Sequence, residues 1–186
     1  NENDHICSEC PRMPDKCPKA EKARSIVCGC DFGYKDPFCW LWGALDRDGR
    51  LLIFDEYYVR EKIVEDHAKE ILKRPWKWAW AVADHDSEDA ATLRRHGVTT
   101  KKAKKTKPIS ASIDLVKARL RVLKDGRPRI KVCKYCTNTI GEAYNYLWHE
   151  KKTDVPVDAD NHALDPMRYM VTELDGKRSA VIVPIA

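Results

Sequence analysis

No apolar run in this chain approaches the roughly 20 residues that a membrane-spanning helix needs. The longest, Phe38 to Leu45, suits a buried strand instead. No basic segment followed by an apolar stretch of signal-peptide length opens the sequence. Residues 1–24 have no hydrophobic periodicity, and Pro11, Pro14 and Pro18 interrupt them, so a linker or small appendage is expected there. The first residue is Asn1 rather than an initiator methionine, from which a piece of a longer chain is expected. The chain also lacks the cysteine distribution of a disulfide scaffold. Of its eight cysteines, Cys28, Cys30 and Cys39 fall inside apolar strand-like runs, where cysteine behaves as a small hydrophobe. A chain this long needs no crosslinks to hold its core, so a reducing compartment is expected.

What is present is a proper core and a dense ionic surface. Hydrophobic residues make up 43% of the 186, six of them Trp, and 34% are charged with a net +5. One domain accounts for this length. The modest positive charge favours a polyanionic partner without specifying nucleic acid.

Residues 25–37 organise the rest. Ile26 to Cys30 are small or apolar and lead directly into Asp31, with Gly33 and Pro37 breaking the chain beyond it. A short unbroken apolar run between turn residues predicts a strand buried on both faces. Its terminal carboxylate then stands at the edge of a core, where charge persists only if paired or metal-bound. Trp78 to Asp84 repeats the pattern. Either Asp taken alone is an ordinary turn residue; two buried strands that each end in Asp are a candidate metal site.

Between them, Pro37 to Leu45, an Asp46-Arg-Asp-Gly49 turn and Arg50 to Val59 predict a hairpin. With the first strand it makes an antiparallel meander. A helix is expected over 63–74, then the Asp84 strand, then a helix capped by Ser87 and closed by Gly97. Val98 to Thr100 predict a short fifth strand that opens into five lysines, Lys101, Lys102, Lys104, Lys105 and Lys107. A charge run is usually a solvated face; one that follows a strand beside Asp84 is placed to hold phosphates. Further helices are expected over 110–123, 133–148 and 162–174, with a brief strand at 129–132.

A strand, a crossover helix and a second strand in one sheet run parallel. Neighbouring strands lie about 4.8 Å apart, so Asp31 and Asp84 would sit side by side at the C-terminal end of the sheet, where open sheets bind ligands. Asp165, on the last helix, completes a carboxylate trio, with His162 three residues before it. Asp86 and Asp160 are reserves, each read as a cap or a solvated acid rather than a metal ligand. Oxygen-only ligation selects Mg²⁺ or Mn²⁺. Two such ions about 4 Å apart are the device for phosphodiester hydrolysis. Separately, Cys7-x2-Cys10 followed by Cys17 is a candidate structural zinc knuckle, with His5 or a distant Cys as fourth ligand. Trp148, beside Lys151 and Lys152, is a candidate DNA contact.

Three segments, Gly29-Cys-Asp31-Phe-Gly-Tyr34, Ala83-Asp84-His-Asp-Ser87 and Asp160-Asn-His162-Ala-Leu-Asp165-Pro-Met-Arg168-Tyr169, occur in that order. They resemble the C-terminal nuclease domain of the large terminase subunit of tailed double-stranded DNA bacteriophages, and the helix from Glu142 to Trp148 fits the same family. The resemblance implies an RNase H-like α/β fold: a mixed five-stranded sheet, three antiparallel strands then parallel ones, flanked by helices. It implies a nuclease domain over 25–176 between a Cys-rich appendage (1–24) and a C-terminal tail (177–186). It further implies a metal-dependent endonuclease that cuts concatemeric viral DNA during packaging, with Asp31, Asp84 and Asp165 on the metal and His162 beside them. Double-stranded DNA, a small terminase subunit and a portal protein would be its partners, in the host cytoplasm. The motor of such proteins carries a Gly-x4-Gly-Lys-Ser/Thr loop, which does not occur here. Other RNase H-like nucleases (Holliday-junction resolvase, transposase, ribonuclease H) and a non-catalytic DNA-binding module are the alternatives. One departure from the family concerns Pro166. Proline disfavours helical backbone in the residue before it, which predicts a helix that starts at Pro166 or kinks there.

Overall fold

The computed structural model describes residues 5–8, 17–104, 106–150, 155–157 and 159–176. In chain order the first elements are β1 (Ile6–Cys7), α1 (Pro18–Glu21), β2 (Ser25–Asp31), β3 (Phe38–Leu45), β4 (Leu51–Val59), α2 (Val64–Leu72) and β5 (Trp80–Ala83). There follow α3 (Ser87–Arg95), β6 (Lys101–Lys102), α4 (Ile109–Leu120), β7 (Ile130–Cys133), α5 (Thr137–Asn145) and α6 (Leu164–Asp175).

The apolar run of β2 is buried throughout its centre, as a strand covered on both faces requires. It pairs antiparallel with β3, Cys28 opposite Trp42 and Asp31 opposite Cys39. β3 in turn pairs antiparallel with β4, with a bulge between Trp42 and Gly43. The Asp46–Gly49 turn closes that hairpin, Gly49 adopting φ 75°, a conformation open to glycine at no steric cost. β5 then runs parallel to β2, as a crossover connection demands.

One mixed sheet results, with strand order β1-β7-β4-β3-β2-β5-β6. The RNase H-like arrangement of a meander followed by parallel strands is present, with seven strands among the described residues rather than five. The difference lies at the edges. β7 joins β4 in parallel, and β1, which no periodicity announced, adds itself to β7. The strand expected at Val98 to Thr100 forms three residues later as β6. Val98 is fully buried without entering the sheet.

Strand alternation separates the two faces. Phe38, Trp40 and Trp42 of β3 point toward α2, whose His67 ring stacks on Phe38 with centroids 3.9 Å apart. Gly29 of β2 and Gly43 of β3 point the other way, against Pro166 and Met170 of α6. Helices therefore cover both faces, with α2 and α3 packed together and α4 packed on α6. Cys28, Cys30 and Cys39 are fully buried, as expected of strand cysteines. Cys7, Cys17 and Ala20, from the segment read as a linker or appendage, also belong to the core. Residues 177–186 lie outside the described residues.

Candidate active site

Register brings the first two carboxylates together. Cys30 is the Cα partner of Ala83 across the β2–β5 pairing, and the Asp84 amide donates to the Cys30 carbonyl at 3.3 Å. Asp31 and Asp84 are thus the next residues out on adjacent parallel strands. They stand on the face that α6 covers, because Asp31 shares its parity with Gly29.

The third comes from α6, and a glycine decides how near. A Cβ at Gly29 would lie 2.5 Å from the Pro166 carbonyl oxygen, so only glycine lets the first turn of α6 rest on the strand. Pro166 does not start or kink the helix. α6 runs unbroken from Leu164 to Asp175, and the proline occupies its first turn, where a missing N–H costs nothing. Asp165 therefore sits inside the helix with its amide donating to the Asn161 carbonyl at 2.8 Å. His162 does not share its helical face, as a three-residue spacing would suggest. It lies in the turn before α6 and reaches across to β2, Nδ1 3.2 Å from Asp31 Oδ2.

Each carboxylate has its own partner. Asp84 Oδ1 is 2.7 Å from His85 Nδ1. Asp165 accepts from Arg168 Nη2 at 2.8 Å and from the Tyr169 hydroxyl at 3.1 Å. Arg168 is itself steadied by Ser112 Oγ of α4, 3.1 Å from Nη1. Sequence reasoning places Arg168 and Tyr169 in the last segment of the pattern but assigns them no role. Their i+3 and i+4 spacing from Asp165 is the signal that could have found one.

Electrostatics ties the group together. Burial holds the Asp31 carboxyl above its usual pKa; the His162 hydrogen bond opposes this, while Asp165 and Asp84 push the same way as burial. His162 is raised, chiefly by its bond to Asp31, against the lowering effect of its own burial. The Tyr169 hydroxyl is pushed far up by burial and then by the three carboxylates, so it stays protonated and donates. Asp31 is thus repelled by two neighbouring carboxylates, a strain that a cation between them relieves. Their all-oxygen donor chemistry fits Mg²⁺ or Mn²⁺. Among the described residues no three His, Cys, Asp or Glu side chains close tightly enough on one point to hold an ion. That accords with each carboxylate being drawn to its own partner.

Other predicted residues fall as follows. Asp86 caps α3, accepting from the amides of Glu88 and Asp89 at 2.9 and 3.1 Å, which displaces Ser87 from that role. Asp160 is exposed. Lys101 and Lys104 do not stand free: both pair with Glu173 of α6, at 2.9 and 2.8 Å. Lys101 also lies 4.4 Å from the Trp80 ring centroid. Lys102, the register partner of Ala83, and Lys107 are exposed, while Lys105 lies outside the described residues. Trp148 is half exposed with the Lys117 ammonium 4.8 Å from its ring; Lys151 and Lys152 are not described. A groove of about 240 Å³ beside Asp165 is lined by Trp148, Lys117 and apolar residues of α4 and α6. Of the zinc candidates, Cys10 is outside the described residues. Cys7 and Cys17 are buried, Cys7 with Lys19 Nζ 3.4 Å from its sulfur, and Cys7, Cys10 and Cys17 remain a ligand set read from spacing alone.

No protein-family model matches the chain, and no curated protein does so by sequence. Solved structures do. The large terminase of a thermophilic bacteriophage superimposes with a TM-score of 0.75 at 22% identity, over 93% of this chain and 42% of that one. The nuclease domain of the bacteriophage SPP1 large terminase, solved with bound Mn, gives 0.70 at 21% identity, over 92% and 97%. The P22 large terminase nuclease domain gives 0.70 at 16%, over 95% and 90%. The chain thus spans less than half the length of the thermophilic phage's terminase and nearly all of the two isolated domains. Its fold is the RNase H-like fold of large-terminase nuclease domains.

Proposed function

We propose that this chain is a metal-dependent endonuclease domain that cuts double-stranded DNA, in the manner of a large terminase processing concatemeric viral DNA for packaging. The observation that carries the reading is the meeting of Asp31, Asp84 and Asp165 from three separate elements. Burial and mutual repulsion raise the Asp31 pKa there. The likeness to a nuclease domain that binds Mn supports the choice of ion.

On this reading Asp31, Asp84 and Asp165 hold two Mg²⁺ or Mn²⁺ ions. The ions, when bound, activate water and stabilise the leaving oxygen. The protein's own residues prepare the place. Asp31 ends β2, an interior strand paired on both sides, so its carboxylate is positioned by the sheet and cannot retreat into solvent. His162 holds Oδ2 of Asp31 at 3.2 Å and carries a proton more readily than an ordinary histidine, keeping the carboxylate oriented while the site is empty of cations. Arg168 and Tyr169 fix the rotamer of Asp165 through both of its oxygens. Lys102 and Lys107 hold the backbone phosphates, without base readout. A small terminase subunit, a portal protein and an infected host's cytoplasm are the setting the reading implies.

The deciding assay is linearisation of supercoiled plasmid by the purified chain with Mg²⁺ or Mn²⁺ and with a chelator. Ion-dependent cutting of plain duplex is expected. Cutting confined to four-way junctions or RNA–DNA hybrids would replace this reading with another RNase H-like nuclease, and DNA binding without cutting would leave a binding module.

A further inference from the structure

α6 starts without a cap of its own. Its N-cap residue is Ala163, which has no side-chain oxygen to offer, yet the first amides of a helix have no partner within it. The missing acceptor comes from another helix. Glu142 of α5, buried to 6% exposure, accepts the Ala163 amide at 2.7 Å and the Leu164 amide at 3.1 Å through Oε2. Its Oε1 accepts the Tyr58 hydroxyl of β4 at 2.7 Å. Burial and Glu142 hold the Tyr58 hydroxyl well above its ordinary pKa, so it remains a donor.

The same device occurs one step earlier. Glu56 of β4 accepts the Asn138 and Thr139 amides at 2.8 and 2.9 Å, with the Asn138 and Thr139 side chains at 2.9 and 2.7 Å. It thereby fixes the start of α5. The sheet holds α5 through Glu56, and α5 holds α6 through Glu142. A carboxylate is favoured at each place, because a helix N-terminus carries partial positive charge.

We infer that Glu142 is a positioning residue for the proposed active site. The two peptide units it grips lie between His162 and Asp165. Both side chains must meet Asp31, which the sheet carries, and Glu142 with Tyr58 ties their backbone to that same sheet. The inference rests on the nuclease reading for its consequence, while the hydrogen-bond frame stands apart from it. Loss of the frame lets the start of α6 shift, and misplacement by about 1 Å costs on the order of a hundredfold in rate.

The test compares Glu142→Ala with Glu142→Gln. Gln keeps an oxygen for both amides, loses the charge and turns an NH2 toward the Tyr58 hydroxyl, which then accepts instead of donating. Plasmid cleavage with Mn²⁺ is measured as kcat and KM, Mn²⁺ affinity by calorimetry, and amide hydrogen exchange at Ala163 and Leu164 against that of β2. For Glu142→Ala the expected result is a kcat lowered about a hundredfold with KM for DNA little changed. Weaker Mn²⁺ binding and lost protection at Ala163 and Leu164 alone should accompany it. Glu142→Gln should recover most of kcat and all of the protection. Should Glu142→Ala not fold, Tyr58→Phe takes its place and should give a smaller fall of kcat in the same direction. Native kcat in a variant that has lost the two amides' protection would overturn the inference, as would unchanged protection in Glu142→Ala. A wild-type chain that cuts nothing would sink the nuclease reading instead, and the exchange measurement would still decide the frame.

Discussion

Asp31 is the residue on which the proposed site turns, and its surroundings give two expectations. Asp31→Asn keeps the shape and removes the charge. Metal-dependent cleavage should then fall by at least about a hundredfold, while thermal melting without metal stays near the parent value or rises. A variant that melts normally and cuts at the parent rate would refute the proposed site. The second expectation is a pH dependence. The folded pKa of Asp31 lies above its usual value. As pH rises, the unfolded chain therefore ionises first, and the metal-free protein loses stability until Asp31 itself has ionised. The folded pKa of His162 lies above the ordinary 6.5. Its bond to Asp31 contributes fully below 6.5 and is lost as pH rises through the raised value. Both act in one direction. Their contribution to the metal-free melting temperature, read as the difference between parent and Asp31→Asn across pH, should decline from acid to beyond neutral pH. The difference is taken because buried His67, its pKa lowered to about 4, acts the opposite way in both proteins. His162→Gln should abolish the upper part of that decline. Added Mn²⁺ should reverse the trend, since ion binding and protonation compete for the same oxygens.

At the scale of elements, the packing of α6 on β2 and its pairing with β6 govern different things. The first sets geometry. Gly29→Ala places a methyl 2.5 Å from the Pro166 carbonyl oxygen, so α6 must lift off the strand. Overpacking of this kind costs about 1–3 kcal/mol, measurable by urea unfolding, and cleavage should fall further than stability alone explains. The second governs charge. Glu173 occupies two of the lysines that the sequence pattern offers to phosphate. Glu173→Gln should release them, tightening DNA binding and steepening its salt dependence. Lys102→Ala with Lys107→Ala should weaken binding and flatten the slope by about 0.9 for each phosphate no longer neutralised. Titrations of duplex DNA at several salt concentrations check both; equal slopes in all three proteins would remove the lysine run from the DNA path.

For the molecule as a whole, the far end of α6 is held as firmly as its start. Arg119 of α4 is buried and makes two hydrogen bonds to Asp175, at 2.6 and 2.9 Å. It also donates to the Gly49 carbonyl of the β3–β4 turn at 3.0 Å. One guanidinium thus joins α4, α6 and the meander. Arg119→Ala leaves Asp175 buried without its main charge partner, which costs about 3–5 kcal/mol. Arg119→Met, which fills the space, should be little better, because Asp175 remains. Urea unfolding followed by circular dichroism tests this, and a loss below about 1 kcal/mol, the scale of an exposed pair, would show that the pair is merely a surface ion pair. No helix among the described residues is long and apolar enough to cross a membrane, in agreement with the absence of long apolar runs.

The sequence alone determined what depends on local pattern and strand parity. The unbroken apolar run before Asp31, its repeat before Asp84 and the turn at Gly49 were enough to place two carboxylates on neighbouring strands. The periodicity of residues 162–174 located the last helix. Tertiary structure decided whatever depends on who sits across the gap. Pro166 fits a first turn because the start of α6 is capped in trans by Glu142, a partner that no spacing rule connects to it. His162 faces Asp31 rather than Asp165 because the turn before α6 turns it toward the sheet. Lys101 and Lys104 lie against Glu173 because α6 crosses beside β6. β1 joins the sheet only because β7 presents an edge to it. A one-dimensional pattern records the face a residue occupies; the charge, amide or carbonyl that meets it there is settled by how the layers pack.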